Sequence, residues 1–182
     1  MSEQDYSEAR KIFEEYNGSF FFMDRDGEYQ KYKGFQVPRE IEASWISERK
    51  TDIVEKLYSE TDESKVAELF SQYRVMVIQD SDEKGLLFML EFAGDNQEKW
   101  DTFTNVRVAE TILDSINGFN NKYKTTAINI SLRILKSIKD SDFRVSDCYK
   151  EIGYLTDCLE EDKIRERINR NIKACEDELK TL

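Results

Sequence analysis

A mainly helical fold with a small β component (α+β) is what this sequence predicts, on three observations. One proline and seven glycines in 182 residues force few positions out of regular structure. Apolar residues recur at i, i+3, i+4 and i+7 through most segments, the spacing of a helix with one buried face. Two short β-favouring runs, residues 75–78 and 86–92, flank the polar loop DSDEKG and read as a β-hairpin. The length suits a single domain, residues 1–182, burying about two-thirds of its unfolded surface. A weak boundary is expected near residues 118–125, between an acidic α+β part and a C-terminal helical part.

Taken in order, Ala9, Ile12, Phe13 and Tyr16 predict a helix over 6–16, stopped by Asn17 and Gly18. Phe20, Phe21, Phe22 and Met23 form an apolar run too short for a usual helix and are expected as a buried strand or extended segment. Asp24-Arg25-Asp26-Gly27 turns the chain, and Glu28 to Lys33 adds a helical turn with Tyr29 and Tyr32 on one side. Pro38 is placed as a first helical residue, so 38–59 is a long helix whose face runs through Ile41, Trp45, Ile53, Val54, Leu57 and Tyr58. Asp62 caps a helix carrying Val66, Leu69, Phe70 and Tyr73. After the expected hairpin, Trp100, Phe103, Val106, Ala109, Ile112, Leu113 and Ile116 keep one helical face up to Asn117 and Gly118.

Residues 127–138 alternate as a strand would, through Ile128, Ile130, Leu132 and Ile134. Ala127, Ile128, Ile134, Leu135 and Ile138 also share a helical face, and the length without glycine or proline favours helix. Cys148, Ile152, Leu155 and Leu159, then Ile164, Ile168, Ile172, Cys175, Leu179 and Leu182, predict a C-terminal αα-hairpin or one stuttered helix.

The composition narrows function mainly by exclusion. With no histidine, mechanisms built on a Ser-His or Cys-His pair or on a histidine-bound metal are excluded. Cys148, Cys158 and Cys175 form no CxxC pair and read as small buried thiols in a reduced, cytoplasmic setting. The start MSEQDYSEAR has no basic or apolar segment, and no apolar run approaches a membrane span, so neither a signal peptide nor a membrane association is expected. No phosphate-binding glycine loop or nucleophile elbow occurs. Reading DRDG as a calcium loop puts Phe22 and Lys33 where ligating carboxylates belong, which rejects it. No metal site and no cofactor is expected.

The formal charge is −11, and residues 1–91 hold most of it, with 21 acidic against 12 basic side chains. A negative protein of this kind is drawn to basic surfaces and repelled by nucleic acid. Lys163, Arg165, Arg167, Arg170 and Lys173 give the last helix a local excess of positive charge. No aromatic stripe accompanies them, so direct nucleic-acid binding is not expected. The functional expectation is a non-enzymatic acidic protein-binding module. Its concrete form is an inhibitor occupying the basic surface of a nucleic-acid-acting protein, by analogy of size and charge with immunity proteins and phage anti-nuclease proteins. Asp24, Asp26, Glu28, Tyr29 and Tyr32 are its candidate binding residues. Two alternatives stand beside it: a carboxylate enzyme using a divalent cation on Asp24, Asp26, Asp80 or Asp82, and a homodimer joined through residues 164–182.

Overall fold

The computed structural model describes residues 6–116 and 121–182, and every regular element among them is helical. Contacts within the chain divide it into two compact units, Met1–Tyr58 and Ser59–Leu182. The boundary expected near 118–125 falls partly outside the described residues.

Unit 1 holds α1 (Ser7–Glu15), α2 (Phe20–Arg25), α3 (Tyr29–Gly34) and α4 (Arg39–Ser59). Asn17 and Gly18 stop α1 as expected, with positive φ angles of 49° and 74° and a hydrogen bond from Gly18 N to Phe13 O of 2.8 Å. A side chain at position 18 would also collide with the Phe13 ring, since an added Cβ would sit 2.9 Å from it. Residues 20–23 are a helix, not the buried strand expected from their apolar character. Ser19 Oγ accepts from Phe22 N to cap it, and Asp26 and Gly27 close it, with Glu28 N bonded to Met23 O. Six residues thus make a helix because both ends are supplied with caps.

The core of unit 1 is aromatic. Phe13 lies 5.7 Å from the Tyr32 ring, 5.5 Å from Trp45 and 6.4 Å from Phe20, around fully buried Ala9 and Met23. The polar middle of α4 is an ion-paired face: Asp52 accepts from Arg49 and from Lys56, each at 2.8 Å. Tyr58, expected on the buried face, is 71% exposed.

Unit 2 is built around α7 (Thr102–Ser115), which packs against α5 (Glu63–Gln79), α6 (Glu83–Asn96), α8 (Asn121–Lys139) and α10 (Glu161–Leu179). The sequence of α7 explains its place. Only Arg107, Glu110 and Asp114 are charged in fourteen residues, and Thr104, Asn105, Val106, Val108, Ala109, Ile112 and Ser115 are all fully buried.

The β-hairpin expected at 75–92 is absent; α5 and α6 meet there through a turn at residues 80–82. Val75 to Ile78 are β-favouring, yet they continue a helix whose buried side chains Val66, Phe70, Tyr73 and Val77 are spaced four, three and four. Burial of that face outweighs a local preference worth at most about 1 kcal/mol across the whole scale. Ser81 turns the chain at φ 51°, and Asp82 caps α6 by accepting from Gly85 N at 3.0 Å. Gly85 is therefore no hairpin glycine. It lets two helices approach, because a Cβ there would lie 2.7 Å from Val77 Cγ2.

Residues 127–138 are helical, with burial following Ala127, Ile128, Ser131, Ile134, Leu135 and Ile138. The C-terminal region departs from the expected αα-hairpin. Residues 143–159 contain only the short α9 (Asp147–Lys150) and a 3₁₀ helix, Gly153–Cys158, so α8 and not this segment is the long helix against α10. Tyr149, fully buried, decides this: its ring packs edge-on to Phe103 at 4.8 Å and draws the segment against α7. Asn117 and Gly118, the expected end of α7, lie outside the described residues.

Candidate functional site

On unit 1 the end of α1 and the whole of α2 frame a shallow depression of about 400 Å³, lined by Glu15, Tyr16, Asn17, Phe22, Arg25 and Asp26. Burial pushes the Tyr16 phenol upward, and the charges of Asp26, Glu15 and Glu28 push it further, so three carboxylates converge on one hydroxyl. Beside them Phe21 is 73% exposed, with the Phe22 ring 5.5 Å away. Arg25 forks onto Asp26 at 2.6 and 2.9 Å and covers the Phe22 ring at 5.1 Å. That fork holds the Asp26 carboxyl below the usual carboxylate range.

The five expected binding residues therefore separate. Asp26 and Glu28 belong to the carboxylate group around Tyr16, and Asp24 is exposed on the last turn of α2. Tyr29 is half-buried against Phe20, ring centres 5.7 Å apart. Tyr32 is core: 3% exposed, with its hydroxyl donating to Glu42 Oε1 at 2.7 Å, and burial followed by that bond drives its phenol far upward. Two residues were missed. Glu15 reaches the site because α1 ends there, and Phe21 was taken as core because three consecutive phenylalanines look buried until a helix spreads them around its axis.

Unit 2 contains a pair of acids that sequence did not single out. Asp101 is 4% exposed; its carboxylate accepts from Thr104 N at 2.6 Å and, through a short contact, from Ser146 N. Glu63 Oε2 accepts from Asp101 N at 2.6 Å. The Tyr149 hydroxyl ties the same point together, donating to Glu63 O at 3.0 Å and sharing a 2.8 Å bond with Thr104 Oγ1. These carboxylate oxygens are engaged by backbone N–H groups, so they fasten the starts of α5 and α7 to the 144–149 segment and leave little for proton transfer. Asp101 followed by Thr104 has the cap spacing that could have exposed it.

Burial raises the Glu63 carboxyl above its usual range; the Asp101 N–H opposes this and the Asp101 charge adds to it. A carboxyl raised on folding destabilises the native state above its folded pKa and is neutral to stability once pH falls below the unfolded value. Glu63→Gln keeps an oxygen for Asp101 N and removes the charge. It is expected to be at least as stable as wild type at neutral pH, with the difference closing as pH falls through the carboxylate range. Urea midpoints from pH 7 downward check this; a gap that widens on acidification contradicts it.

Other expectations meet the structure as follows. Among the described residues no three His, Cys, Asp or Glu side chains are grouped so as to hold a metal ion. Asp82 is the α6 cap, and Asp24 with Asp26 falls in a different unit from Asp80 and Asp82. The 164–182 seam is core of its own chain: Ile164, Ile168, Ile172 and Cys175 are buried on α10, so that face is not free to join two copies. The basic side chains of α10 have partners in their own unit. Arg167 forks onto Glu110, joined there by Asn171 at 2.7 Å, and Arg165 pairs with Glu161 at 2.7 Å. All three cysteines are free; Cys175 alone is buried, which pushes its thiol up to about 11, while Cys148 is half-buried and Cys158 exposed. Among the described residues no helix is long and apolar enough to cross a membrane. No protein-family model matches this chain, and no curated protein or solved structure matches it either.

Proposed function

We propose that this is a non-enzymatic, acidic protein-binding module that docks on a basic surface of another protein. In its concrete form it is an inhibitor occupying the basic groove of a nucleic-acid-acting protein, working in a reduced cytoplasmic setting. The observation that carries the reading is the convergence of Glu15, Asp26 and Glu28 on Tyr16 beside exposed Phe21. An exposed aromatic ringed by one sign of charge has the anatomy of an interface anchor with a steering rim. The carboxylates would seat lysine or arginine side chains, and Phe21 would enter an apolar gap between them.

Unit 1 carries 13 acidic and 9 basic side chains and unit 2 carries 25 and 18. Net charge alone therefore does not single out unit 1, and the local convergence is what favours it.

Affinity capture from native lysate across a salt series tests the reading, with wild-type protein and Phe21→Ala side by side. The expected outcome is a captured nucleic-acid-binding protein that elutes as salt rises and is held about 30-fold less tightly by Phe21→Ala, the size of a typical anchor truncation. Capture indifferent both to salt and to residue 21 overturns it. A captured protein counts in favour only if it shows both dependences.

A further inference from the structure

Beside the start of α7 a cleft of about 550 Å³ opens in unit 2, within the size range of small-molecule sites. Asn105 on its wall is fully buried. Its Nδ2 donates to the carbonyls of Gln97, Trp100 and Asp101 at 2.9, 3.2 and 3.0 Å. Those three acceptors fix the orientation of the amide, since a flipped group would set oxygen against oxygen. Asn105 Oδ1 is left buried with no hydrogen-bond partner. Gln97, also on the wall, repeats the pattern: Nε2 donates to Gly94 O at 3.2 Å and Oε1 has no partner.

The rest of the lining is equally short of donors. Ser137 and Ser141 spend their hydroxyl protons on Ile134 O and Ile138 O, at 2.8 and 3.0 Å, and offer the cleft lone pairs. Glu98 and Asp142 add two carboxylates against the single guanidinium of Arg144, and Arg144 Nη2 already faces Trp100 O at 3.4 Å. A buried acceptor without a donor is costly, and native proteins rarely leave one. What completes this cleft is a group rich in N–H donors that carries positive charge.

We propose that the cleft binds a small organic cation through an alkylammonium or guanidinium group. Its N–H groups satisfy Asn105 Oδ1 and Gln97 Oε1, Glu98 and Asp142 balance its charge, and Trp100 supplies an aromatic wall. None of these residues belongs to the unit 1 depression, so the two sites stand or fall separately.

The experiment titrates agmatine and putrescine into the full-length protein by calorimetry, with the indole N–H signals of Trp100 and Trp45 followed by NMR. Saturable binding of at least one is expected, moving the Trp100 signal and leaving Trp45 in place. Glu98→Gln with Asp142→Asn, both at exposed side chains, is expected to weaken binding roughly tenfold through lost charge-assisted contacts without changing the melting temperature of the free protein. Gln97→Met, which removes one acceptor at similar volume, is expected to weaken it as well. The proposal is overturned if neither cation saturates at millimolar concentration, the outcome of a buried water holding both amide oxygens. Equal binding of succinate, or binding untouched by these variants, overturns it too.

Discussion

Asp101→Ala is expected to lower the stability of unit 2 by about 3 to 4 kcal/mol, the sum of a lost helix cap and two backbone donors left buried. The side chain is 4% exposed, and water cannot replace it at Thr104 N and Ser146 N without opening the segment. Asp101→Asn keeps one acceptor oxygen and is expected to cost about half as much. Urea unfolding followed by circular dichroism separates the cases, and an Asp101→Ala midpoint close to wild type would remove Asp101 from its place as the fastening of α7. The effect should reach Tyr149, whose hydroxyl bonds both Thr104 and Glu63. Amide exchange in residues 144–150 is therefore expected to accelerate first.

Phe13→Ala is expected to cost unit 1 about 3 to 5 kcal/mol, the range for deleting a buried phenylalanine. Phe13 is 3% exposed and touches three other rings, so its removal leaves Tyr32 and Trp45 facing a void that a rigid aromatic cluster closes poorly. In a unit of 58 residues that is most of the stability available. Faster amide exchange across α1 to α4 is the readout. Phe21→Ala is the control from the same face: at 73% exposure it is expected to change stability by less than about 0.5 kcal/mol. If the two variants were equally stable, the aromatic core would be misassigned.

How far the sequence carried the fold depends on what each residue was asked to decide. The faces of α1, α5, α7 and α10 were legible because apolar spacing is a property of the chain alone. The β-hairpin was misread because Val75 to Ile78 prefer strands locally, while the three buried residues before them in the same phase commit them to a helix. Phe20 to Met23 failed for a related reason: Ser19 and Gly27 are ordinary residues until their capping bonds are seen. At the candidate site, Asp26 and Glu28 were found from charge and turn chemistry. Glu15 and exposed Phe21 were not, because exposure is a property of packing.

The sequence by itself determined the helical faces, the absence of histidine chemistry and the acidic balance, since each follows from residue type and spacing. Only tertiary structure decided that the seam of α10 is core, that Tyr32 is buried while Phe21 is not, and that Asp101, Glu63 and Tyr149 meet at the start of α7. The physical reason is the same in each case. Burial and hydrogen-bond partners come from residues 30 to 90 positions away, and no local pattern records which of those contacts satisfies a given group.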